Sequence, residues 1–216
     1  AICMNWLNKL ERKIGKFYIR NLMLIIICGQ ILVFAFSYMG RDIADMLILN
    51  KNAVMSGEVW RLITFIFVPS SYSIISFIFS MYFYYLAGTG LEHQWGGFKF
   101  NFYYLIGMIT TIIVVMISGV SATGTFINLS LFLAFAKVYP NFQILLFFIL
   151  PIKVKYLAIF NWLAIGYSFL SAASIGGKIL TLVPLLNFFL FFGKEVFTGT
   201  TTGAINYRRQ QKFKSQ

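Results

Sequence analysis

Residues 60–97 read WRLITFIFVPSSYSIISFIFSMYFYYLAGTGLEHQWGG. The stretch opens on a Trp-Arg pair, continues as an apolar run long enough to cross a bilayer, and leaves through a compact Gly-Leu-Glu turn ending in Trp-Gly-Gly. A simple membrane anchor needs about 20 apolar residues and neither of those flanks. The remaining apolar runs are read as spans packed around this one.

Composition points the same way. Of 216 residues, 59% are hydrophobic and 11% charged, and the mean hydropathy is +0.80. Soluble domains carry about 25% charged residues, so an integral membrane protein is expected, with room for one bundle and no second domain. The formal net charge of +12 is concentrated at the flanks. Lys9, Arg12, Lys13, Lys16 and Arg20 precede the first apolar run, and Arg208, Arg209, Lys212 and Lys214 follow the last. Basic residues placed this way orient spans and meet anionic inner-leaflet lipid, so no nucleic-acid partner is expected. Cys3 and Cys28 give no disulfide or metal-ligand pattern, and neither metal nor cofactor is expected.

Taken in order, residues 1–20 form a basic amphipathic segment on the cytoplasmic side, and 21–197 form the membrane domain. Its spans fall at about 21–39, 74–91, 100–118, 123–137, 154–170 and 179–193, and 198–216 form a basic cytoplasmic tail. The connection 40–73 balances Arg41, Lys51 and Arg61 against Asp42, Asp45 and Glu58. It also carries apolar patches, so it should be partly helical and half-immersed at the outer surface. Gln143–Ile152 is apolar but stops at Pro151 and Lys153 and is too short to cross, so a membrane-edge segment is expected. The expected fold is an all-α polytopic bundle of six spans with both termini inside, which satisfies the positive-inside rule.

Within the spans, three polar groupings compete as candidate sites. Ser76 and Ser80 lie four residues apart on one helical face, although hydrogen bonding to the preceding backbone turn is the favoured explanation. Ser121-Ala122-Thr123-Gly124, with Asn128 and Ser130 beyond, opens a short span that should be recessed among its neighbours; Ser121 or Thr123 could simply cap the helix. Gly176, Gly177, Pro184 and Asn187 combine close approach, a kink and an interior amide that needs a partner. His93, the only histidine, falls in the inner turn, away from these outer groupings.

These residues together resemble the rhomboid-like superfamily, which includes rhomboid intramembrane serine proteases and derlin pseudoproteases. Trp60-Arg61 is similar to that family's Trp-Arg in the first loop. Gly90-Leu91-Glu92, followed by Trp95-Gly96 and Phe98, resembles its turn after the second span, and Met81–Phe83 matches a derlin-like Met-Tyr-Phe run. The resemblance implies a six-helix membrane domain with a nucleophile in a Gly-x-Ser-Gly motif, a base in the sixth span and an oxyanion pair in the second. Here Thr123, before Gly124, stands at the nucleophile position, Asn187 near the base, and Ser76 and Ser80 at the oxyanion pair.

A Thr hydroxyl needs a base to become a nucleophile, and an Asn amide cannot serve as one. The reading is therefore a rhomboid-like pseudoprotease that binds the transmembrane helices of client proteins without cleaving them. The alternatives are an endopeptidase with an altered site built on Thr123, and a small transporter or channel, which the lack of intramembrane charge disfavours. The expected location is a bacterial plasma membrane, with an organelle membrane as the alternative.

Overall fold

Helices form wherever the sequence runs apolar for more than about a dozen residues, as expected for segments whose backbone groups must be satisfied internally. A computed structural model describes residues 11–13, 15, 18–40, 43–146 and 150–197. The first run is α1 (Leu22–Tyr38). The long connection folds into 3-10 turns at Ala44–Met46 and Phe65–Phe67 and two short helices, α2 (Lys51–Met55) and α3 (Arg61–Thr64), so its expected partial helicity is present. Long helices follow: α4 (Ile74–Trp95), α5 (Gly97–Ser118), α6 (Thr125–Val138), α7 (Val154–Ser171) and α8 (Ile175–Phe197).

Helices α4 and α5, and the Ile175–Gly193 part of α8, are long and apolar enough to cross a membrane; α1 and α6 are shorter apolar helices. Their outward faces stay apolar. Leu32 is 60% exposed, Ile117 76%, Phe160 70% and Leu170 80%. Helices that are hydrophobic all round belong in a membrane or a large core.

The shortest of these long helices is the axis of the bundle. Helix α6 packs against α4, α5, α7 and α8, and eight of its 14 residues are buried. At about 1.5 Å per residue it is about 21 Å long, short of a hydrocarbon core of about 30 Å. It is surrounded rather than lipid-facing, as its small and hydroxylated start led us to expect. Gly107 on α5 and Gly176 on α8 permit the tight packing around it. A Cβ on Gly107 would lie 3.0 Å from Asn187 Nδ2, and one on Gly176 would lie 2.6 Å from Ser118 Cβ.

Two expectations are corrected. The fold is mostly rather than wholly helical, because Gln143–Leu146 (β1) and Leu150–Lys153 (β2) pair antiparallel, Gln143 opposite Lys153 and Ile144 opposite Ile152. Pro140 and Pro151 bar a helix across this run, and the hairpin is closed at its base by Val154 N–H donating to Phe142 O at 2.8 Å. Second, Gly88–Gly97 is not a turn. Helix α4 continues to Trp95, and only Gly96, at φ 88°, breaks it from α5. Within that helix Gly88 gives Met23 of α1 room to pack, its Cγ 2.4 Å from where a Cβ would stand.

Candidate functional site

Both ends of the opening stretch are tied down by their own side chains. At its N-terminal end Arg61 is 9% exposed. Its Nε donates to Glu58 Oε2 at 2.6 Å, and one terminal nitrogen donates to the carbonyls of Asp45 at 2.5 Å and Ile48 at 2.8 Å. The guanidinium fork thus collects acceptors from three places in the first loop. Trp60 Nε1 donates to Met46 O at 3.2 Å. At the far end of α4, Glu92 Oε1 accepts from Asn21 N–H at 3.1 Å, which satisfies a donor just before α1, where Asn21 is left-handed at φ 54°. Leu91 is fully buried, Gly90 faces Phe135, and the Trp95 ring lies against Tyr103 and Phe192. Both groups of residues hold structure in place.

The first loop also meets the start of α6. Leu49 and Ala122 exchange backbone hydrogen bonds of 3.0 and 2.9 Å, and Asn50 Nδ2 donates to Ser121 Oγ at 2.9 Å. Gly124 N–H donates to Phe65 O at 2.9 Å, and a Cβ on Gly124 would sit 3.0 Å from Ile66 Cα. Gly124 is the N-cap of α6 and has no side chain to cap it; from one residue earlier, Thr123 Oγ1 accepts from Thr125 N–H at 3.4 Å.

From Thr123 a line of hydroxyls leads inward. Thr123 Oγ1 lies 2.9 Å from Thr125 Oγ1, which is 3.2 Å from Ser70 Oγ, which is 2.9 Å from the Tyr84 hydroxyl. Farther in, Asn128 Oδ1 accepts from the Tyr104 hydroxyl at 3.4 Å. The groups bonded to Thr123 contain no basic nitrogen.

Asn187 belongs to a separate cluster. Fully buried on α8, it donates through Nδ2 to Ser130 Oγ at 2.9 Å and reaches Tyr103 O at 3.5 Å. The Tyr103 hydroxyl bonds Ser130 Oγ closely and donates to Ser130 O at 2.9 Å. Asn187 has the internal partner its position demands, and that partner is Ser130, two helical turns beyond Thr123. Ser76 is exposed, and Ser80 Oγ donates to Ser76 O at 2.8 Å, which is the backbone bonding weighed above. His93 is exposed beside a cavity of about 360 Å³ lined also by Thr89, Gly90 and Tyr139.

A larger cavity of about 660 Å³ lies between α4 and α7, with α6 as its back wall. Phe79, Ser80, Phe83 and Tyr84 line one side, Leu157, Phe160, Asn161 and Ala164 the other, and Asn128, Leu129 and Phe132 the back. Its wall is overwhelmingly apolar. Sequence reasoning noticed Asn128 and missed Asn161. The available signal was the one side-chain amide inside the apolar run 154–170. Among the described residues no cluster of His, Cys, Asp and Glu could hold a metal ion.

A family model described as "Eukaryotic integral membrane protein (DUF1751)" matches residues 20–193. No curated protein and no solved structure matches the chain. The matching family is described as eukaryotic, which gives no support to the bacterial plasma membrane expected from the sequence.

Proposed function

Because the chain belongs to the DUF1751 family of eukaryotic integral membrane proteins, we propose that it is a rhomboid-like pseudoprotease of a eukaryotic membrane, one that binds the spans of client proteins from the side and leaves them uncut. Its membrane domain crosses six times, through α1 and α4 to α8, with both termini cytoplasmic; the basic ends meet anionic lipid. The observation that carries the non-hydrolytic part is the partnering of Thr123. Its hydroxyl is paired with that of Thr125, while Asn187 is engaged by Ser130 and Tyr103. A hydroxyl attacks a peptide only when a base takes its proton, and the groups bonded to Thr123 contain none.

The binding part rests on the lateral cavity between α4 and α7, an apolar recess with a few placed polar groups, as ligand sites have. A photoreactive amino acid at position 79 or 160, one on each wall, tests both parts in membranes. Crosslinks to membrane-spanning segments of other proteins, recovered at full length, are expected. Crosslinks confined to bulk lipid would remove the client-binding reading. Cleaved clients, with cleavage lost in Thr123→Ala, would turn the protein into an enzyme.

A further inference from the structure

The cavity between α4 and α7 carries a chemistry that its apolar walls do not account for. Two side-chain amides open on it from different helices, Asn128 of α6 at 1% exposure and Asn161 of α7 at 5%. In both, Nδ2 is buried and has no acceptor among the described residues. The oxygen of Asn128 is already engaged by Tyr104, so its amide nitrogen is turned to other use. Buried amide donors are nearly always paired, because an unpaired one pays its full desolvation penalty. A Leu at either place would fill the same space without that penalty. The two Nδ2 groups are matched only by an occupant that brings acceptors.

Depth narrows the occupant. Asn161 lies seven residues after the start of α7 and ten before its end, which is about 10 and 15 Å along the helix axis. With a hydrocarbon core of about 30 Å, that level is below the ester carbonyls of lipid, and acyl chains carry no acceptor. Acyl chains offer these donors nothing, which favours a polypeptide occupant. A helical span uses its main-chain carbonyls internally, so the acceptor must come from a side chain.

Resting on the client-binding reading above, we infer that this cavity selects spans that carry an amide or hydroxyl side chain near their middle, with Asn128 and Asn161 as the specificity-determining donors. A client of that kind arrives with an acceptor unsatisfied by lipid, and the cavity holds donors in the same condition. The exchange removes both defects at once, whereas a span of Leu alone leaves the two donors as they were.

The test uses the full chain in phosphatidylcholine liposomes and two fluorescent single-span peptides, a Leu host and the same host with one central Asn. Binding is read by energy transfer from a dye on the protein. The Asn peptide should bind about fivefold to tenfold tighter. In Asn161→Leu that preference should fall to about twofold or less, with the thermal midpoint unchanged or raised because an unpaired donor is gone. Asn161→Ala should lose the preference as well, which separates the missing amide from added bulk in the cavity. Equal binding of the two peptides by the unmodified protein would overturn the inference while leaving client binding intact. So would a preference that survives in both variants. Binding of neither peptide would remove the client-binding reading itself, and the inference with it.

Discussion

Arg61 shows how a residue that reads as a family mark can be an architectural necessity. Its charge is almost buried, and the structure meets it with Glu58 and two main-chain carbonyls from the Asp45–Ile48 turn. Arg61→Ala would leave those acceptors unpaired and should lower stability by about 2 kcal/mol. Arg61→Lys should recover only part of this, since an ammonium lacks the planar fork. Thermal unfolding in detergent measures both, and an unchanged midpoint in Arg61→Ala would mean that the loop does not depend on the staple. Asn161 is the converse case, a buried residue whose Nδ2 finds no acceptor among the described residues.

Helix α6 carries the argument at the next scale. It is too short to be an ordinary span and too apolar to face water, so it is stable only when wrapped by α4, α5, α7 and α8. Its start is fixed by the Phe65–Ile66 backbone lying against Gly124. Gly124 has an ordinary helical φ of −63°, so the requirement is space, not conformational freedom. Gly124→Ala should therefore cost about 1–3 kcal/mol through displacement of that backbone. Gly166→Ala, at a glycine on α7 with nothing within 4 Å of its Cβ position, should instead be neutral or stabilise by up to about 1 kcal/mol. Matched unfolding curves decide the comparison; equal effects at the two sites would refute the close approach. The sequence marked Gly124 through its neighbours. The loop pressed against it came from 58 residues earlier in the chain and could not be seen there.

For the whole molecule the open question is how the bundle sits in its membrane. The proposed topology puts His93, in the last turn of α4, on the cytoplasmic side and Tyr72, before α4, on the opposite side. With Cys3 and Cys28 replaced by Ser, a single cysteine at position 93 should react with an impermeant thiol reagent added from the cytoplasm, and one at position 72 only after permeabilisation. The reverse pattern would invert every span. The cavity between α4 and α7 opens in the plane of such a bundle, where a client would arrive by diffusion along the bilayer.

Most of this architecture was legible in the residues. Long apolar runs between basic flanks determine helices in a membrane, because backbone groups there must be satisfied within the segment, and the helix positions follow those runs to within a few residues. The charge-balanced first loop and the recessed start at Ser121-Ala122-Thr123-Gly124 also follow from composition and spacing alone. What only the tertiary structure decided is which polar groups meet. Thr123 is linked through Thr125 and Ser70 to Tyr84, whereas Asn187 pairs with Ser130. Helix rotation sets those pairings, and an almost uniformly apolar helix carries little record of its rotation in sequence. The same blindness hid Asn161. An amide in an apolar run is visible, but whether it faces lipid, a partner or a cavity depends on the helices beside it. The stretch from Trp60 to Gly97 determined that the chain folds around one span; the packing of α6 and α7 against it determined where that span leaves room for another.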